Sequence, residues 1–341
     1  MREIRSGPVA VLGSGGWGTA LAVHLARAGR EVRLWGRDPA LIERMCASSA
    51  NPVYLPDVEL PVGVAPTGEI GAAVAGATYV VVAAPSHGVR AVVRRAAPAI
   101  DPDAVLISAA KGIEDGTLLR MSQVIAAEVC SDGDGPAVTV LSGPSFAAEV
   151  ARGAPTAVAV AGRSPDAVGA VQHDFRSDSF RLYASDDVIG VEIGGAMKNV
   201  IAIAAGAVES LGLGHNARSA LITRGLAEIS RLACALGGRR ETLAGLSGLG
   251  DLVLTCTGGL SRNRRVGMEL GKGRTLEALM AGMQMVAEGI RTTGVALELG
   301  RREAVEMPIT AEMAEVLGGR RTPREAVEEL MLRRQRTELD A

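Results

Sequence analysis

Gly13, Gly15 and Gly18 in GSGGWG have the G-x-G-x-x-G spacing. They follow the apolar run VAVL and open a helical pattern, the setting in which such glycines cradle a dinucleotide pyrophosphate. Gly13 permits a tight turn, Gly15 lets the backbone approach the phosphates, and Gly18 lets helix and strand pack closely. The N–H groups of the first helical turn then meet the phosphate charge. Outside that setting the same residues are an ordinary glycine-rich turn. Some 20 residues on, where a dinucleotide site holds its ribose-binding residue, stand Trp35, Gly36, Arg37 and Asp38. Arg37 suits a 2′-phosphate; Asp38 either binds ribose hydroxyls or caps the next helix. This pattern favours NADP(H) and leaves NAD(H) open.

Lys198 carries the only charge between Glu192 and Glu209, in GGAMKNVIAIAAG. Desolvation on so apolar a stretch lowers a lysine pKa toward the range useful for proton transfer. The plainer alternative is a lysine whose stem lies on apolar surface while its ammonium reaches water. Asp251, among glycines and apolar residues in GLSGLGDLVLT, reads as a buried carboxylate that needs a cationic partner. In SRNRR, Ser261 can cap a helix whose first N–H groups and arginines make an anion site, or the run is a solvated basic helix end. Pro85-Ser86, Lys111-Gly112 and SGPSFA (142–147) each follow an apolar run, as loops at the carboxyl ends of strands do. Lys111 read alone is also compatible with a solvated surface lysine.

Short β-rich runs at 9–12, 31–35, 79–83, 105–108 and 138–141 alternate with helical stretches, including 19–28 and a helix capped by Asp38 with Pro39 at its first position. Such alternation predicts an α/β fold, a doubly wound parallel sheet of Rossmann type covered on both faces. Runs at 156–160 and 180–183 extend that sheet. From about residue 186 strand signals fade and apolar spacings of three and four recur. The predicted division is a dinucleotide-binding domain over 1–185 and an all-helical substrate domain over 186–341.

The 341 residues suit two domains. With 36 Lys plus Arg against 38 Asp plus Glu, the net charge of −2 argues against a nucleic-acid-coating protein, and 2% aromatics leaves no stacking platform for single strands. Cys46, Cys130, Cys234 and Cys256 are scattered without a CxxC pair, so neither a disulfide framework nor a metal site is expected. The N-terminus shows no signal-peptide pattern, and the longest apolar stretch, 200–208, falls short of the about 20 residues that span a bilayer. A cytoplasmic protein without a membrane span is the expectation.

Together, GSGGWGTALA, NPVYLP, AAKGIE, SGPSFAAEV, EIGGAMKNVIAIAAG, ARSALITRGLAEI, GLGDLVLTCT and SRNRRVG resemble the bacterial-type NAD(P)-dependent glycerol-3-phosphate dehydrogenases. They run in family order from residue 13 to about 290. The resemblance implies that the dinucleotide meets Gly16, Trp17, Arg37, Tyr54, Lys111, Ala147, Arg262, Val286 and Glu288. It implies that the substrate meets Lys111, Gly143, Ser145, Lys198, Asp251, Ser261, Arg262 and Asn263, with Lys198 as proton acceptor. The chain departs from the family pattern at a few places: His215 stands for a common Asp, Val266 for Phe, VAEGI varies the usual apolar pair before the glutamate, and Gly16 stands for Ser, which removes a side-chain phosphate contact but keeps the N–H.

The implied reaction interconverts dihydroxyacetone phosphate and sn-glycerol 3-phosphate by hydride transfer, supplying phospholipid synthesis, in a homodimer. Lys198 exchanges the proton, Lys111 polarises the carbonyl and, as a like charge, depresses the Lys198 pKa, and Asp251 orients Lys198. A two-domain reductase of another 2-keto substrate such as ketopantoate, or a non-catalytic NADPH sensor, are the alternatives; SRNRR favours a phosphorylated substrate over the first, and the Lys198–Asp251 pair argues against the second.

Overall fold

A computed structural model describes residues 7–130, 135–281, 287–335 and 337–338. The chain divides into two compact units, Met1–Glu114 with Leu119–Val188, and Asp115–Leu118 with Ile189–Ala341.

In the first unit, VAVL forms β1 (Val9–Leu12), followed by β2 (Val32–Trp35), β3 (Ala50–Asn51), β4 (Leu55–Glu59), β5 (Val64–Thr67), β6 (Tyr79–Val82), β7 (Val105–Ser108), β8 (Ala137–Ser142), β9 (Thr156–Gly162) and β10 (Phe180–Ser185). The helices between them are α1 (Gly16–Arg27), α2 (Pro39–Ser48), α3 (Ile70–Val74), α4 (Val89–Ala96), α5 (Met121–Val129), α6 (Ala147–Ala151) and α7 (Pro165–Asp174). Eight strands make one sheet in the order β10-β9-β8-β7-β6-β1-β2-β5, and β3 and β4 pair separately. The β1 side chains alternate between two cores: Val9 and Val11 join one cluster, Ala10 and Leu12 the other. This is why β1, β6 and β7 read as unbroken apolar runs: both faces of the sheet are covered. Because β1 pairs with β2 on one side and β6 on the other, the order reverses beside β1, which is where such sheets bind ligands.

The doubly wound α/β expectation holds, with one correction to its parallel sheet. Strand β9 runs antiparallel to β8, while the other pairings within the eight-stranded sheet are parallel. An apolar run carries no direction. The α6 helix between them has five residues, about 7.5 Å of helix against about 20 Å of strand, too short to return the chain to the start of the sheet. Two smaller differences arise from glycine and proline. Helix α1 begins at Gly16 rather than Thr19, taking two loop glycines into its first turn. Strand β5 (VAPT) was hidden by Pro66, which an edge strand tolerates.

The described part of the second unit is helical: α8 (Val188–Ser210), α9 (Gly214–Ala235), α10 (Arg240–Leu243), α11 (Asp251–Thr257), α12 (Arg262–Gly271), α13 (Leu276–Ala281), α14 (Glu288–Arg302), α15 (Pro308–Leu317) and α16 (Pro323–Leu332), with a π-helical turn over Leu246–Gly250. By length and composition α8 is long and apolar enough to cross a membrane, which the 200–208 stretch alone did not suggest; 89% of its most apolar window is buried, the mark of a core helix. Glycines let this helix be approached at backbone distance. A Cβ on Gly267 of α12 would lie 1.8 Å from the Ile203 carbonyl oxygen, and one on Gly206 of α8 would lie 2.0 Å from that of Arg264. Asn199 meets Asn263, Ile203 meets Gly267 and Ala207 meets Gly271, so α8 and α12 run parallel in a four-residue register.

Candidate functional site

In the first unit the glycine loop has the geometry its spacing predicts. Gly13 has φ +130°, open to glycine, and a Cβ there would lie 2.8 Å from the Ala83 carbonyl oxygen. A Cβ on Gly18 would strike the Gly13 carbonyl oxygen at 1.9 Å. Gly15, by contrast, has nothing within 4 Å of its missing Cβ. It is the N-cap of α1 but offers no side-chain cap, so the first N–H groups of the helix are left for another acceptor. Beside it, a Cβ on Gly16 would have the Tyr54 carbonyl oxygen at 3.6 Å and Ala147 Cβ at 3.7 Å. Trp17, Tyr54 and Ala147 are partly buried against the same core. The Trp17 indole Nε1 is buried and has no hydrogen-bond partner among the described residues. An open cradle, an uncapped helix start and an orphaned donor fit a dinucleotide.

At the end of β2 the ambiguity over Asp38 resolves toward capping: its carboxylate accepts from the Ala40 N–H at 3.1 Å, with Pro39 in the first helical turn. Arg37 is exposed and makes no hydrogen bond or ion pair with a described residue. Nor does Gly36 leave room for a side chain, since a Cβ would meet Ser14 Oγ at 2.4 Å. Arg37 is therefore the polar group that end of β2 has to offer. Further along the sheet, Lys111 Nζ and Ser145 Oγ each donate to the Gly143 carbonyl oxygen at 3.0 Å. Gly143 has φ +148°, and a Cβ would lie 2.9 Å from Val158 Cα. One strained glycine thus gathers three of the residues assigned to the substrate.

In the second unit Lys198 is 7% exposed and Asp251 1%. Lys198 Nζ donates to Asp251 Oδ1 and, at 3.0 Å, to Thr255 Oγ1. The Thr255 hydroxyl spends its own hydrogen on the Asp251 main-chain oxygen at 2.6 Å, so it faces Lys198 as an acceptor. The lysine is not the surface-reaching kind: its charge is buried and compensated, the condition under which a buried ion persists. Asp251 gets there because a Cβ on Gly194, one turn before Lys198, would lie 2.6 Å from the Ser247 carbonyl oxygen. The glycine lets the π turn press against α8, and Asp251 starts the next helix. One residue after Thr255 in α11, burial pushes the Cys256 thiol up to about 12, and like Cys46, Cys130 and Cys234 it is free.

Ser261 caps α12 by accepting from the Arg264 N–H at 3.2 Å. The arginines of SRNRR separate: Arg264 Nε donates to Glu209 at 2.8 Å, a bond that holds the Glu209 carboxyl below the usual carboxylate range, while Arg262 and Arg265 are exposed. Asn263 is buried and donates to Asn199 Oδ1 at 2.9 Å, and its own carbonyl accepts from the Gly289 N–H at 3.0 Å. It thereby ties α8 and α12 to the start of α14, whose first residue is Glu288. Val286 lies outside the described residues. His215 is exposed with Nδ1 3.0 Å from Arg218 Nη2, and Val266 is a buried core residue of α12. Sequence reading passed over Thr255 and Asn199. Thr255 stands four residues after Asp251, one turn along the same helix face, and that spacing was the available signal.

Comparison with known proteins agrees with both halves. Residues 8–168 match the N-terminal region of the NAD-dependent glycerol-3-phosphate dehydrogenases and residues 187–328 the C-terminal region. A glycerol-3-phosphate dehydrogenase [NAD(P)+] of Koribacter versatilis is 50% identical over 97% of this chain and 98% of its own length. One from Acidobacterium capsulatum is 51% identical over 97% and 99%. The crystal structure of glycerol-3-phosphate dehydrogenase from Coxiella burnetii, 40% identical, superposes with a TM-score of 0.92 over 96% of this chain and 99% of that one. The chain belongs to the NAD-dependent glycerol-3-phosphate dehydrogenase family.

Proposed function

We propose that the protein interconverts dihydroxyacetone phosphate and sn-glycerol 3-phosphate with NADP(H) or NAD(H), and that it does so as a cytoplasmic homodimer supplying glycerol 3-phosphate for phospholipid synthesis. The observation that carries the reading is the buried Lys198–Asp251–Thr255 cluster, in a chain of this family. In the reducing direction Lys198 holds the proton that the carbonyl oxygen acquires, and in the oxidising direction it accepts the alcohol proton. Asp251 and Thr255 each take one hydrogen bond from Nζ, which holds the ammonium group in place. Lys111, held by the Gly143 carbonyl oxygen, is the cation that the first unit contributes to substrate binding. The α12 N-terminus and Arg262 hold the substrate phosphate, with Ser261 shaping the turn and Asn263 bracing it against α8. In the first unit Gly13, Gly15, Gly16, Trp17, Gly18, Tyr54 and Ala147 hold the dinucleotide, with Arg37 beside the 2′-phosphate. When bound, the reduced nicotinamide supplies the hydride.

The test is consumption of NADPH with dihydroxyacetone phosphate, repeated with NADH and with unphosphorylated dihydroxyacetone. Turnover with the phosphate ester and inhibition by simple phosphate esters are expected. Cofactor binding without turnover would make the protein a sensor, and equal use of unphosphorylated dihydroxyacetone would remove the phosphate site.

A further inference from the structure

Asn51 uses its whole hydrogen-bonding capacity on the main chain and side chains around it. It is fully buried. Its amide donates to the Ser14 carbonyl oxygen and to Thr19 Oγ1, both at 2.8 Å. Its oxygen accepts from the Val53 N–H at 3.3 Å and the Tyr54 N–H at 3.1 Å. Two hydrogens and two lone pairs are the whole capacity of a primary amide. Its partners place it: Ser14 lies within the glycine loop, Thr19 directly follows it, and Tyr54 adjoins Gly16.

We propose that Asn51 is a positioning residue that turns the Gly15 N–H toward a bound pyrophosphate; this rests on the dinucleotide reading of the loop. In a planar trans peptide the carbonyl and the following N–H point in opposite directions. Asn51 draws the Ser14 carbonyl inward, with help from Thr19 Oγ1 at 3.4 Å. The Gly15 N–H of that same peptide is thereby directed away from the amide, on the residue whose missing Cβ has open space. Without Asn51 the peptide is free to flip, presenting a carbonyl lone pair to the phosphates in place of a donor. The same amide oxygen fixes the turn that carries Tyr54, so one side chain sets two cofactor contacts at once.

The pyrophosphate is common to both dinucleotides, so the signature is loss without discrimination. Dissociation constants of NADPH and NADH are measured by fluorescence for wild type, Asn51→Ala, Asn51→Asp and Thr19→Val, with thermal unfolding and steady-state kinetics alongside. Asn51→Ala is expected to weaken both cofactors about tenfold, with turnover at saturating cofactor within about twofold of wild type. Asn51→Asp, which opposes the Ser14 carbonyl with a second acceptor, loses more; Thr19→Val, which removes one partner, loses about threefold. A folded Asn51→Ala that binds both cofactors as wild type does overturns the proposal, and so does a loss confined to NADPH. Should Asn51→Ala fail to fold, Thr19→Val decides by the same two criteria. Failure of wild type to bind either dinucleotide overturns the reading of the loop instead.

Discussion

The two units solve recognition with different materials. Around the glycine loop of the first unit, the groups offered are main-chain N–H groups, shaped by glycines whose missing side chains leave either a tight turn or open space. Around Lys198 in the second, the working groups are buried side chains, each satisfied by another: Lys198 by Asp251 and Thr255, Asn263 by Asn199 and the Gly289 N–H. A backbone cradle binds an invariant part of a ligand and tolerates change in neighbouring side chains. A side-chain cluster can place a proton, but loses its function with any one member. The lesson is that substitutions in the Lys198 cluster should act on chemistry and those around the glycine loop on affinity.

The largest effect expected is from Lys198→Ala. It removes the proton-transfer group and should lower kcat roughly 10²–10⁴-fold while the NADPH dissociation constant stays near wild type. Near wild-type turnover would break the contrast at its strongest point. Next, Arg262→Ala should lower kcat/KM for dihydroxyacetone phosphate about 10–150-fold through loss of charge-assisted bonds worth about 1.5–3 kcal/mol. Arg265→Ala, also exposed but outside the assigned set, should do far less in the same kinetics. Arg37→Ala tests a place where the first unit relies on a side chain: NADPH should weaken about 10–150-fold and NADH little. Equal losses would mean Arg37 does not meet a 2′-phosphate. Thr255→Val, nearly isosteric, should cost about 0.5–1.5 kcal/mol and up to about tenfold in kcat, with the pH profile of kcat displaced because Lys198 loses an acceptor. The smallest effect is no effect at all. Native-state alkylation followed by mass spectrometry should label exposed Cys46 and Cys234 and leave Cys256 untouched at neutral pH, since burial holds its thiol up to about 12. Labelling of Cys256 would show that the helix bearing Asp251 and Thr255 opens to solvent.

How far the sequence could be read follows the same division. Glycine spacing announced the loop, since Gly13, Gly15 and Gly18 have roles only their absent side chains can fill. Lys198 and Asp251 were legible as lone charges in apolar stretches, but their contact was legible only through the family resemblance, because it depends on Gly194 admitting the π turn to α8. Thr255 and Asn199 were passed over because an uncharged polar residue beside a charged one carries little signal until the helices are placed. Asn51 lay inside a recognised segment, NPVYLP, without a role, since its value lies in the carbonyl it captures. Strand direction escaped as well: β9 looks like its parallel neighbours in composition and runs the other way.

The glycine contacts between α8 and α12 have one more consequence. Lys198 and Arg262 each stand one residue ahead of the asparagines that open the register of those two helices. Main chain lies against main chain there, so the interval between the backbone that carries Lys198 and the turn that opens α12 is set by backbone thickness, while Asp251 and Thr255 hold the lysine side chain in one rotamer. On the proposed reaction this is a length gauge. It suits a ketone one methylene away from its phosphate, and a chain lengthened by a single carbon would have to buckle or leave one end unheld. The selectivity would then come from a fixed span rather than from any group that recognises carbon.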